Sequence, residues 1–216
     1  MGAVRAHPFA GVTLPRPLPC PPDEPPVSDL ARPRSTHPRL RTGRDVARHY
    51  LGDVIYGAND GIITTFAVVA GVAGAALPPV VVVVLGVANL VADGFSMGAS
   101  NFLAIRSRSD VERAEGRARS EPYAAKHGLA TLLAFVLAGS VPLLAFVTGV
   151  APQRRFAAAA ALASATLFAV GAARSVVARG RWWRNGLEML GVGATAAGVA
   201  FAVGRLLAGF APAAIR

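Results

Sequence analysis

The chain has 216 residues, 53% of them hydrophobic and only 16% charged, with a mean hydropathy of +0.47. That balance excludes an ordinary soluble domain and predicts an all-α integral membrane protein. The formal charge of +10 comes mostly from arginine and marks the cytoplasmic flanks of membrane helices; no RNA- or DNA-binding motif accompanies it, so no nucleic-acid partner is expected. A lone cysteine, Cys20, excludes an internal disulfide framework and a Cys-based zinc site.

In chain order, residues 1–47 read as a disordered cytoplasmic tail rich in proline and arginine, with no apolar run and hence no cleaved signal peptide. Residues 48–216 read as one membrane domain. Five apolar segments fall at about 54–77, 79–104, 128–149, 156–178 and 187–210, each near the ~20 residues a helix needs to cross the hydrocarbon core. The first two are joined by "LPP" at 77–79, where Pro78 and Pro79 stop one helix and admit the next. The run "VVVVV" at 80–84 has strand propensity, but a lone strand cannot satisfy its backbone in lipid, so helix is predicted. Pro142 lies inside the third segment and predicts a kink there.

Arginine placement sets the expected orientation. The tail, the 2–3 connection (Arg106, Arg108, Arg113, Arg117, Arg119, Lys126) and the 4–5 connection (Arg179, Arg181, Arg184) fall on one side of five alternating helices. The other side holds the "LPP" turn, Arg154, Arg155 and Arg216. The positive-inside rule therefore puts the N-terminus in the cytoplasm and the C-terminus outside. Trp182 and Trp183 sit where interfacial aromatics belong.

The first two segments carry the polar residues that need explanation. "VIYGANDGIITTFAVVAGVAGAAL" holds Asp60, about 9 Å into the membrane at a rise of ~1.5 Å per residue. "GVANLVADGFSMGASNFLAIR" holds Asn89, Asp93 and Met97 at i, i+4 and i+8, on one helical face, with Met97 about 12 Å from the same edge. Two acids in one hairpin cost a few kcal/mol on insertion scales and call for a function or a pairing. One reading makes them protonated, hydrogen-bonded or arginine-paired structural groups. The other is a cation or proton path, where carboxylate, thioether and amide ligands together suit a divalent transition metal. "GANDG" and "GFSMG" are both G-x-x-x-G and permit close helix packing.

"YGANDGIITTFAVVAGVAGA", "GVANLVADGFSMGASNFLAIRS", "LATLLAFVLAGSVPLLAF" and "GLEMLGVGATAAGVAFAVGRLL" together resemble the vacuolar iron transporter family over about residues 48–210. The resemblance implies a homodimer of five-helix subunits that moves ferrous iron, and often manganese, out of the cytosol in exchange for protons. It puts the family's metal-binding aspartate on Asp60 and its methionine on Met97. A carboxylate common on the family's second helix falls on Asn89 here, and Asp93, one turn nearer Met97, is expected to supply the charge. The long acidic cytoplasmic domain of plant-type members is reduced to "SRSDVERAEGRARSEPYAAK", where Glu112 and Glu115 sit among arginines as a solvated, salt-bridged helix rather than a metal-collecting surface.

The expected mechanism uses Asp60 as the exchange site for a proton or a metal ion, with Asp93 and Met97 as further ligands, Asn89 and Ser96 assisting, and Asp60 and Asp93 coupling the protons. The metal is cargo, so no cofactor is expected. The membrane is the inner one in a prokaryote and vacuolar-type in a eukaryote. A small drug/proton antiporter also needs a membrane carboxylate, but only Phe66, Phe95 and Phe102 would line its cavity; a non-transporting scaffold would tolerate neutral substitution of both aspartates. An enzyme is not expected, since no nucleophile–base pair, phosphate loop or histidine cluster is visible: His7, His37 and His49 precede the apolar segments and His127 lies at the edge of one.

Overall fold

The computed structural model describes residues 43–116, 123–176 and 180–210. Among these residues the secondary structure is helical, without strands, and "VVVVV" lies in a helix. We number the long helices α1 (Gly43–Gly74), α2 (Pro79–Ala114), α3 (Ala124–Ser140), α4 (Arg155–Ala173) and α5 (Trp182–Phe210). α3 is followed by a 3-10 turn, Val141–Leu143, and a last helical turn, Leu144–Val147; this is the break expected at Pro142, whose ring cannot continue the hydrogen-bond ladder. Among the described residues, five stretches are long and apolar enough to cross a membrane: Arg48–Gly74, Pro79–Ala114, Ala124–Val147, Pro152–Ala173 and Trp182–Phe210. The protein is a multi-pass integral membrane protein.

Two helices run well beyond the apolar segments that predicted them, whereas α4 falls short of the expected 178, ending at Ala173 before a 3-10 turn, Arg174–Val176. α1 starts at Gly43, inside the stretch expected as a tail, with Asp45 in its first turn against the positive end of the helix dipole. α2 continues to Ala114, ten residues past the expected exit, through an arginine-rich turn in which Arg113 bonds Asp110 at 3.1 Å. An apolar run reports only the part of a helix that lipid solvates, whereas backbone hydrogen bonding carries the helix on into water. The remainder of the expected tail, residues 1–42, lies outside the described residues.

The bundle is inside-out relative to a soluble protein. Val84, Val91, Phe95, Leu133, Leu137 and Leu206 point outward, while glycines, alanines and a few large side chains, among them Ile62, Val69, Phe135 and Leu167, fill the interior. α1 is the central helix, packed along α3 and α5, and α2 leans mainly on α3. Contact is at backbone distance. A Cβ added at Gly57 or Gly61 would overlap the carbonyl oxygens of Thr131 and Phe135 on α3, and one at Gly204 on α5 would overlap that of Gly71 on α1. Both G-x-x-x-G elements thus face α3, since Gly98 is set equally close against Gly128. Without a hydrophobic force between helices in lipid, such backbone proximity supplies the dispersion energy of association.

The α1–α2 turn holds Ala76 at φ 53°, a left-handed conformation that its Cβ disfavours, before Pro78 and Pro79 start α2 with Pro79 at the first helical position. Relief of about 1–2 kcal/mol outweighs the flexibility glycine adds to the unfolded chain. Ala76→Gly is therefore expected to raise the melting temperature of the detergent-purified protein slightly; a lowered value would contradict the strain.

Candidate functional site

Asp60 is half-buried on α1, about three turns inside the span that begins at Arg48. Its own turn is tightened by Thr64, whose hydroxyl donates to the Asp60 carbonyl oxygen at 2.8 Å. Asp93 is half-buried on α2, within electrostatic reach of Asp60 on the neighbouring helix. Asn89 and Met97, one turn to either side of Asp93, are half-buried as well, and Met97 packs against the apolar core. The stripe runs beside Leu90, Gly94 and Gly98, the buried line of α2 that meets α3. Ser96 is exposed, off that stripe, and Glu112 and Glu115 lie far along α2 beyond the polar cleft. Among the described residues, no group of three or more His, Cys, Asp or Glu side chains stands ready to enclose a metal ion.

A second polar cluster was not visible in the sequence. Near the end of the bundle where α1 begins, Asp53 accepts hydrogen bonds from Asn101 of α2 at 2.8 Å, through Oδ1, and from Nδ1 of His127 of α3, through Oδ2. The Asn101 amide also donates to the Thr131 hydroxyl at 2.8 Å, and that hydroxyl donates to the His127 carbonyl at 3.0 Å. His49 of α1 closes the cluster, its Nε2 3.1 Å from Nε2 of His127. Three helices are tied here by side chains that are mostly buried. The partners are separated by 48, 74 and 78 residues in the chain, so no local motif announces them. The only signal available was helical register: Asp53 and Asp60 are two turns apart on α1, and Asn101 continues the Asn89, Asp93, Met97 stripe at the same i+4 step.

These features define a class: a five-helix membrane protein with half-buried carboxylates on two neighbouring spans, α1 and α2, and an amide and a thioether one turn to either side of the second. The VIT family model matches residues 51–123 and 116–205, and the chain belongs to that family. It is 31% identical over 167 residues to vacuolar iron transporter homolog 5 of Oryza sativa subsp. japonica, covering 73% of this chain and 80% of the rice protein. Vacuolar iron transporter homolog 4 of Arabidopsis thaliana is 32% identical over 104 residues, 44% of this chain and 52% of that one. The vacuolar iron transporter of Plasmodium berghei is 42% identical over 74 residues, 34% of this chain and 27% of that protein. The chain thus spans most of the rice relative but only about a quarter to a half of the other two.

Proposed function

We propose that the protein carries divalent transition metal, ferrous iron or manganese, out of the cytosol in exchange for protons, as a homodimer with its N-terminal tail in the cytoplasm. Membership of a family with relatives named vacuolar iron transporters supports the metal. The observation that carries the mechanism is a pair of half-buried acids, Asp60 and Asp93, on neighbouring membrane spans and within electrostatic reach of each other. Two neighbouring carboxylates in a medium of low dielectric need neutralisation, and either two protons or one divalent cation provides it. The two loads exclude one another, which is all that coupling requires.

Asp60 and Asp93 bind the ion and hold the counter-transported protons. Met97 adds a soft sulfur ligand and Asn89 an amide oxygen where a third carboxylate would make the site more anionic. Metal arrives from the basic, cytoplasmic end and leaves when protons from the far side reclaim the carboxylates. The ion is cargo, and the chain needs no cofactor or enzymatic chemistry.

Reconstituted into liposomes carrying a pH-sensitive dye, the protein is expected to move protons only when Fe2+ or Mn2+ is supplied on the opposite side, and to collapse an imposed pH gradient when metal is present. Metal flux with no proton movement would remove the antiport; no flux of either metal would remove the function.

A further inference from the structure

We propose that His49 and His127 form a second divalent transition-metal site, held in shape by Asp53 and separate from the Asp60–Asp93 cleft. The hydrogen-bond ring around His127 determines which nitrogen is available. Asp53 already accepts from Asn101 and offers its second oxygen to Nδ1 of His127, so in the neutral ring Nδ1 bears the hydrogen and Nε2 carries the lone pair. That lone pair points toward Nε2 of His49 at 3.1 Å. A carboxylate behind one imidazole nitrogen, with the other nitrogen free to bind, is the arrangement that orients histidine ligands on metals.

The two rings meet in a bent hydrogen bond, which an ion could replace. A straight N–H···N bond of this length would put the ring centroids about 5.4 Å apart. The observed separation is 4.7 Å, with the planes tilted by 60°, so both nitrogens lean toward one side of the line between the rings, and the tilt excludes parallel stacking. An ion about 2.05 Å from each nitrogen would hold the nitrogens at 3.1 Å with an angle near 98° at the metal and centroids about 4.8 Å apart. That angle lies between the cis octahedral and tetrahedral values. Two imidazoles suit Co2+, Fe2+, Ni2+ and Zn2+, with water completing the shell.

His49 lies eleven residues before Asp60 on the same face of α1, about 16 Å along the axis. Asn101, which braces Asp53, belongs to the same stripe of α2 as Met97 and Asp93. The position is that of a loading station on the way to the carboxylates. That transport role rests on the proposed function, whereas the binding of metal does not.

The test is Co2+ binding to the purified full-length chain in detergent, by equilibrium dialysis and visible absorption, in an Asp60→Asn background. One bound Co2+ is expected to remain; His49→Gln and His127→Gln each remove it, and Asp53→Asn weakens it about tenfold. His7→Gln with His37→Gln leaves it intact. His49 is only half-buried and lies outside the Asp53–Asn101–Thr131 ring, so His49→Gln gives the decision even where His127→Gln fails to fold. The proposal is overturned if Asp60→Asn binds no Co2+, if His49→Gln binds it unchanged, or if the binding follows His7 and His37. Normal transport by Asp60→Asn would instead overturn the proposed function and leave this binding result standing.

Discussion

Asp60→Asn is expected to abolish metal-driven proton movement while leaving the protein folded and monodisperse. Asparagine keeps the shape of the side chain and removes the charge, so packing on α1 changes little; Asp60 touches the fold mainly through its backbone carbonyl, which Thr64 occupies. What is lost is one of the two facing charges, and a divalent cation then meets a site bearing a single carboxylate. Asp60→Ala should behave the same way, and Asp93→Asn should fail as completely if the two act as one site. Met97→Leu supplies the graded control. It conserves volume within the core edge at a cost below about 1.5 kcal/mol but withdraws the sulfur, so flux of the softer ion should fall further than that of Mn2+. The measurement is dye-reported proton flux with each metal in turn. Normal flux through Asp60→Asn would refute the assigned role.

Gly61→Ala is expected to damage the fold itself. Its new Cβ would overlap the Phe135 carbonyl oxygen on α3, a backbone atom that no rotamer change can move aside, and Gly61's own carbonyl is already pressed by the approach of Gly139. Separating helices that touch at backbone distance costs about 1–3 kcal/mol or more, and the displaced turn is the one that carries Asp60. Gly57→Ala, against the Thr131 carbonyl, should act alike. Gly191→Ala on α5 is the matched control, because nothing lies within 4 Å of the added atom. Thermal unfolding in detergent should lower the melting temperature for the first two and leave the third unchanged. Equal behaviour of all three would mean that the α1–α3 seam is looser than its geometry.

The membrane class, the number of spans and the break at Pro142 were legible because each rests on a local rule: length of apolar run, or absence of an amide hydrogen. The polar stripe of α2 was legible for the same reason, since a step of four residues puts Asn89, Asp93 and Met97 on one face whatever surrounds them. Helix ends were not, because hydropathy falls at the lipid boundary while α1 and α2 continue for another turn or more. That same error hid His49. Placed ahead of the first apolar segment, it had no face and no neighbours; placed in α1, it is one turn from Asp53 and opposite His127. Packing order was illegible too. A tight turn suggests that α1 and α2 are principal partners, yet α1 packs at backbone distance on α3 and α5 and α2 packs mainly on α3; the two G-x-x-x-G elements announced close packing without naming the partner helix.

α3 therefore works as a jig. Two separate seams meet on it, Gly57 and Gly61 of α1 and Gly98 of α2, so one segment, Ala124–Ser140, is the common surface against which both acid-bearing helices are set. The hydrogen bonds from Asp53 through Asn101 and Thr131 to His127 tie the same three helices at one end of that segment, so a change in α3 is felt by both acids even though it carries neither.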